Sequence, residues 1–124
     1  MDTRSKILSR ASALELPPPL TLVTGYFDIL RAEHARDLQQ ARDRAPAQPL
    51  MVVVLVGSNL LLSPQARAEL VAALRMVDYV VTANDGDLDG IFEALKPAQL
   101  VRLEAADQRR ARQLMEHVQR RQTR

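Results

Sequence analysis

Strands that alternate with helices along this chain predict an α/β fold, a Rossmann-like three-layer α/β/α sandwich on a mainly parallel sheet of about four strands. Three observations lead there. The continuous apolar run Leu50-Met-Val-Val-Val-Leu-Val56, closed by Gly57-Ser58-Asn59, is what a strand covered on both faces requires. Other segments switch to helical spacing, most clearly Leu88, Ile91, Phe92 and Leu95 at i, i+3, i+4 and i+7. Finally, 47% of residues are hydrophobic but only two Phe, two Tyr and no Trp are present, so Val, Leu, Ile and Ala must build a core of closely packed helices on a sheet.

Taken in order, residues 1–16 carry a helical pattern with Ile7, Ala11 and Leu14 on one face, stopped by Pro17-Pro18-Pro19, which favours an extended spacer. Residues 1–19 are thus expected to form a helical segment and spacer ahead of an α/β domain over residues 20–124. Leu20 to Thr24 has strand composition and runs into Gly25, a residue free to take backbone conformations that others avoid. A helix over Arg31 to Ala45 follows, with Ala35, Leu38 and Ala41 or Arg42 recurring at its spacing, and Pro46 ends it. The second strand is the apolar run itself. Ser63-Pro64 then starts a helix with proline in its first position and an apolar stripe of Leu70, Val71 and Leu74. Val77 to Thr82 is the third strand, and the polar turn Asn84 to Asp87 leads into the helix that Lys96-Pro97 terminates. Gln99 to Leu103 makes a fourth strand. Ala106 to Gln122 makes a last helix with Ala111, Leu114, Met115 and Val118 on one face.

The same composition narrows the function classes. A chain of 124 residues is one ordinary domain, and with no cysteine it has no disulfide, thiol nucleophile or thiolate metal site, as suits a cytoplasmic setting. The longest apolar run is far shorter than the ~20 residues of a membrane span, and no uninterrupted apolar stretch follows the charged N-terminus, so neither a membrane anchor nor an export signal is expected. A net charge of +2, from 17 basic and 15 acidic residues, is modest for a nucleic-acid binder. The arginine-rich stretch from Arg109 to Arg124 is expected to be a solvated face, and it has no aromatic residues on which bases could stack. Asn84, Asp85, Asp87 and Asp89 lack the spacing and terminal glutamate of a calcium loop, so no metal site is assigned.

In an open parallel sheet, ligands bind beyond the carboxyl ends of the strands where strand order reverses, so the turn after the first strand is the place to look. It reads Thr24-Gly25-Tyr26-Phe27-Asp28-Ile29-Leu30-Arg31-Ala32-Glu33-His34. This resembles the strand-turn-helix signature of the cytidylyltransferase-like nucleotidyltransferases: a glycine, a small residue, Phe-Asp, then a His-x-Gly-His pair. Lys6-Ile-Leu-Ser9, Arg67 to Arg75, Met76-Val-Asp-Tyr-Val-Val81 and Leu95-Lys-Pro97 match too, and the branch it most resembles is the adenylyltransferase domain of bacterial heptose-phosphate bifunctional enzymes, over roughly residues 6–107. The resemblance implies transfer of AMP or CMP from ATP or CTP to a sugar phosphate or polyol phosphate, with pyrophosphate released and Mg2+ accompanying the triphosphate. It also implies that Thr24, Gly25, Tyr26, Phe27, His34 and Arg102 contact phosphate or nucleotide, that Arg31 and His34 stand at the catalytic pair, and that Asp28, Arg67 and Asp78 support the site.

The departures fall on the phosphate contacts. Of the histidine pair only His34 remains, Arg31 replacing the first. Glu33 stands in place of the glycine, bringing a side chain and a negative charge to the helix start where phosphate should approach. Tyr26 replaces a small residue. The basic, glycine-containing loop after the second strand is reduced to Asn59-Leu60-Leu61-Leu62-Ser63, and Lys-Gly-Gly-Asp after the fourth to Arg102-Leu103-Glu104-Ala105. The family's last strand and Ser/Thr-rich helix start are replaced by Asp107 to Arg124. Removing one well-placed donor costs about 2.7–4 kcal/mol of transition-state stabilisation, so the pattern points to a noncatalytic descendant acting through nucleotide or partner binding. An active transferase with a rebuilt site is the alternative. His34 could equally be an ordinary helix residue, Asp28 a turn brace and Asp78 a strand brace. The apolar Leu60-Leu61-Leu62 would be exposed unless it packs on its own core or on a partner, and a homo-oligomer or protein partner is expected.

Overall fold

The structure, a computed structural model, describes residues 2–104. Four strands, β1 (Thr21–Gly25), β2 (Leu50–Leu55), β3 (Tyr79–Ala83) and β4 (Gln99–Arg102), form one sheet in the order β3-β2-β1-β4, every pair parallel. The helices are α1 (Arg10–Leu14), α2 (Ala32–Arg44), α3 (Pro64–Ala72) and α4 (Leu88–Leu95). The expected final helix over Ala106 to Gln122, with its arginines, lies outside the described residues.

Both faces of the sheet are covered, which is why β2 reads as an unbroken apolar run. Val52 and Val54 point to a core completed by Leu38 and Ala41 of α2 and Ala68, Val71 and Ala72 of α3. Met51, Val53 and Leu55 point to the opposite core, completed by Ala13 of α1 and Leu88, Ile91 and Leu95 of α4. The predicted α/β/α layering is therefore present, with α2 and α3 on one side and α1 and α4 on the other.

Two elements differ from the sequence-based expectation. Residues 1–16 are not a continuous helix with Ile7, Ala11 and Leu14 in line. A single 3₁₀ turn over Thr3–Lys6 brings Ile7 into a parallel bridge with Val80, the Leu8 amide donates to the Val80 carbonyl at 2.8 Å, and α1 starts only at Arg10, capped by the Ser9 hydroxyl. Ala13 is buried while Ala11 and Leu14 face outward. Pairing to a free strand edge outweighs the weak helical pattern. On α3, Leu70 is 43% exposed and the inward stripe is Arg67, Ala68, Val71 and Ala72. The hydrogen bonds of the Arg67 guanidinium set the helix rotation.

Those bonds lie at the carboxyl end of the sheet. Arg67 is 1% exposed. Its Nη1 donates to the carbonyls of Tyr26 (2.8 Å) and Leu55 (2.6 Å), its Nη2 to Val56 (2.6 Å) and its Nε to Leu62 (3.1 Å). One planar fork thus joins the ends of β1 and β2 and the loop that follows β2. Burial pushes the Arg67 pKa below its ordinary value, and the nearby Asp28 carboxylate opposes that shift.

Candidate functional site

Strand order reverses at β1: the chain places β2 and β3 on one side of it and returns to place β4 on the other. The crevice between the carboxyl ends of β1 and β4 is where such a sheet binds ligands, and the conspicuous turn of the sequence leaves β1 there. Gly25 is needed for closeness rather than for an unusual dihedral. A Cβ at Gly25 would lie 2.8 Å from the Phe27 ring. The left-handed residue is Phe27 itself, at φ 54°, a conformation that costs a non-glycine residue about 1–2 kcal/mol. Its ring is 1% exposed and packs 5.4 Å from the His34 ring, while the preceding carbonyl is held by Arg67. The surroundings fix the turn.

Arg31 is the exposed N-cap residue of α2, in extended conformation. Its side chain has no acceptor for the helix amides, so the cap comes from the other direction: the Arg31 amide donates to Nδ1 of His34 at 3.0 Å. His34 is 5% exposed. With Nδ1 used as an acceptor, a neutral imidazole carries its hydrogen on Nε2, a donor at the start of a helix whose dipole favours anions. Glu33, in the same first turn, sets a negative charge against that preference.

Across the crevice, the Thr24 hydroxyl donates to Oε2 of Glu104 at 2.6 Å and the Arg102 Nε donates to Oε1 of the same carboxylate at 2.7 Å. The Arg102 guanidinium lies 5.6 Å from the centre of the Phe92 ring. The two residues that the resemblance offered to phosphate, Thr24 and Arg102, are thus both bonded to a carboxylate. Nothing in the composition pointed to Glu104. The available signal was its position, an acidic residue two places beyond a strand that flanks the switch point.

The remaining turn residues face elsewhere. Asp28 accepts from the amides of Leu61 (3.0 Å) and Leu62 (3.0 Å), so it braces the loop between β2 and α3 rather than capping α2. Tyr26 turns away from the crevice: its ring occupies the space beside Gly57, whose φ is 66°, and its hydroxyl donates to Asp85 at 2.7 Å. It therefore roofs the end of β2 rather than the floor of a phosphate pocket at β1. Asp78 belongs to the other end of the sheet. It accepts from Arg42 Nη1 (2.6 Å) and the Leu50 amide (2.8 Å), joining α2 to the starting ends of β2 and β3. Five residues of strand, roughly 15 Å, separate it from the turn, so its support of the site is only through the sheet. The predicted residues fall into two groups: Thr24 and Arg102 meet at Glu104, whereas Phe27, Arg31 and His34 meet at the start of α2; Tyr26, Asp28 and Arg67 lie toward the end of β2.

Among the described residues no group of three or more His, Cys, Asp or Glu is placed to hold a metal ion. No described helix is long and apolar enough to cross a membrane.

No family model matches the chain. Individual proteins do. It is 33% identical over 114 residues to the D-beta-D-heptose 1-phosphate adenylyltransferase of Bordetella bronchiseptica, an alignment spanning 79% of this chain and 69% of that protein. It is 31% identical over 118 residues to the bifunctional protein HldE of Helicobacter acinonychis, spanning 82% of this chain and 24% of that one. The chain therefore spans about a quarter of the length of the HldE protein it matches. Among solved structures, the lipopolysaccharide core biosynthesis protein of Thermoplasma volcanium superposes with a TM-score of 0.59 at 25% identity, covering 66% of this chain and 71% of that one. The shared fold, the turn after β1 and the extent of these alignments place this chain in the cytidylyltransferase-like nucleotidyltransferase family.

Proposed function

We propose that this chain is a catalytically degenerate nucleotidyltransferase-like domain that works by binding, with a nucleotide or a protein partner, including a second copy of itself, as its ligand. The observation that carries this reading is Glu104. Its carboxylate sits in the β1/β4 crevice, takes the hydroxyl of Thr24 and occupies Arg102. An anionic triphosphate would have to displace Glu104 and meet the charge of Glu33 as well, and like charges at such a site disfavour each other. With the first histidine of the pair replaced by Arg31, several donors worth about 2.7–4 kcal/mol each are gone.

The surface beside the crevice supports the binding role. Ile29 is 52%, Leu61 79% and Leu62 37% exposed. Asp28 ties the two loops together, so these side chains form an apolar lip held in place rather than a loose loop. A cytoplasmic setting agrees with relatives that act on nucleotides.

A second reading is favoured by one observation, the hydrogen bond that His34 Nδ1 accepts from the Arg31 amide. An Nε2 donor at the start of α2, with Arg31 beside it, is what a rebuilt phosphate site would use. On that reading the chain moves AMP or CMP from ATP or CTP to a sugar phosphate, with Mg2+ on the triphosphate. Pyrophosphate release from ATP and from CTP, with Mg2+ and D-mannose 1-phosphate or D-glycero-D-manno-heptose 1-phosphate, distinguishes the two. The binding reading expects release no faster than in buffer; release that disappears in His34→Ala establishes the enzyme and overturns it.

A further inference from the structure

β4 is an edge strand of the sheet, and its two faces are covered unequally. Toward α2, Val101 and Leu103 pack on the core, and Gln99 Nε2 donates to the Ala41 carbonyl at 3.2 Å. Toward α4 the cover stops short. Leu100 is in register with the buried Leu22 of β1, so it lies on the α4 side of the sheet, yet it is 40% exposed. On the same side Phe92 of α4 is only partly buried, with the Arg102 guanidinium over its ring. Leu100, Arg102 and Phe92 thus leave a strip of this face open along β4.

A segment that fits this strip is present in the chain itself. In residues 105–124, Ala111, Leu114, Met115 and Val118 recur at helical spacing on one face. Glu104 is helical, and its bonds to Thr24 and Arg102 tether it at the end of β4. A helix that continues from there has no loop to carry it across β1 to the lip around Leu61, so it folds back along β4. The lengths match. Leu100 stands four positions before Glu104, roughly 13 Å at the rise of a strand. About nine residues of helix cover that distance, which brings the Leu114-Met115 pair over Leu100, while the small Ala111 falls over Arg102 and Phe92. Charge agrees as well. Residues 105–124 carry six arginines against two acidic residues, whereas residues 1–104 carry 11 basic against 13 acidic. On α4, Asp89 and Glu93 stand exposed.

We propose that residues 106–122 dock as an amphipathic helix on the β4–α4 face of their own chain, antiparallel to β4, with Leu114 and Met115 on Leu100. Docking covers the open face of the edge strand. It also fixes the main chain of Glu104 while Thr24 and Arg102 fix its carboxylate, so the C-terminal segment helps to hold that carboxylate in the crevice. The docking does not depend on whether the crevice takes a nucleotide, and it leaves the lip of Ile29, Leu61 and Leu62 to another partner.

The chain has no cysteine, so one nitroxide attached through Gln119→Cys, a position off the apolar stripe, reports where the segment lies. Antiparallel docking sets position 119 near the start of β4. In the full ¹⁵N-labelled chain the nitroxide should therefore broaden the amides of Lys96, Ala98 and Leu100, and its reduction should restore them. An equal mixture of spin-labelled chain without ¹⁵N and ¹⁵N-labelled parent should show no broadening, because the contact is within one chain. Leu114→Asp, added to the spin-labelled chain, should abolish the broadening at Leu100 while the amides of Val52 to Val54 keep their shifts, which separates loss of docking from loss of fold. Broadening centred on Leu61 and Leu62, broadening in the mixture, none in either sample, or an undiminished effect in folded Leu114→Asp would overturn the proposal.

Discussion

Arg67 shows how far one side chain can organise a site without touching a ligand. Its four acceptors are neutral carbonyls, so its role is to hold backbone, and removing it strands those carbonyls in a buried junction. Arg67→Met should lower unfolding stability by about 3–5 kcal/mol, read from the urea midpoint. Arg67→Lys keeps the charge but replaces a planar fork by a single ammonium, and it should recover less than half of that loss. A lysine variant as stable as the parent would mean that charge, not geometry, matters at this position. Glu104 poses the converse test. If its carboxylate and that of Glu33 are what exclude a triphosphate, then the pair Glu33→Gly and Glu104→Gln should tighten calorimetric ATP·Mg2+ binding by at least about tenfold, or ~1.4 kcal/mol. Unchanged binding in the double variant would show that the crevice is closed by its shape.

At the scale of elements, the chain divides into a sheet whose ends are locked and an N-terminal segment that is only pinned to its edge. The pin is the Ile7 bridge, one bond from Lys6 Nζ to the Leu74 carbonyl at 3.1 Å, the buried Ala13 and the Arg10–Asp87 pair. The hydrogen bond from Arg10 holds the Asp87 carboxyl below its ordinary value of 3.8. Because the folded value lies under the unfolded one, the pair's contribution is fully present above the ordinary carboxylate range and is lost as pH falls through the lower, folded value. The melting temperatures of the parent and Arg10→Met should therefore differ slightly at neutral pH and converge in acid, once the pH has fallen well below 3.8. A difference that persists in acid would mean that Arg10 acts through packing of its stem instead. On the other side of the sheet, Asp28 and Arg67 act together on the short loop after β2, one taking its amides and the other its Leu62 carbonyl. That shared hold keeps Leu61 outside without leaving the loop free.

For the molecule as a whole, what the sequence made legible was what hydrophobic periodicity reports. The run from Leu50 to Leu55 could only be a strand covered twice, and the spacing of Leu88, Ile91 and Leu95 could only be one helix face; both are found as read. The site was legible in location, since turn composition marks the end of β1, but not in its contacts. Only the family resemblance marks Arg67 as a support of the site, because bonds to main-chain carbonyls leave no trace in residue type. Glu104 is 80 positions from Thr24, and a pairing over that distance depends on the switch in strand order, which local pattern does not encode. The same architecture orders the stability of its parts. β2 is hydrogen-bonded on both sides and buried on both faces, so its amides open only with the whole molecule, whereas the segment before β1 is held at one edge. Native-state hydrogen exchange should accordingly find the amides of Val52 to Val54 among the slowest, with an opening energy equal to the global unfolding energy, and those of Leu8 and Ala13 several kcal/mol lower. Arg10→Met should speed exchange at Leu8 and Ala13 and leave Val53 unchanged. If Leu8 and Ala13 instead exchanged as slowly as Val53, the N-terminal segment would be part of the cooperative core.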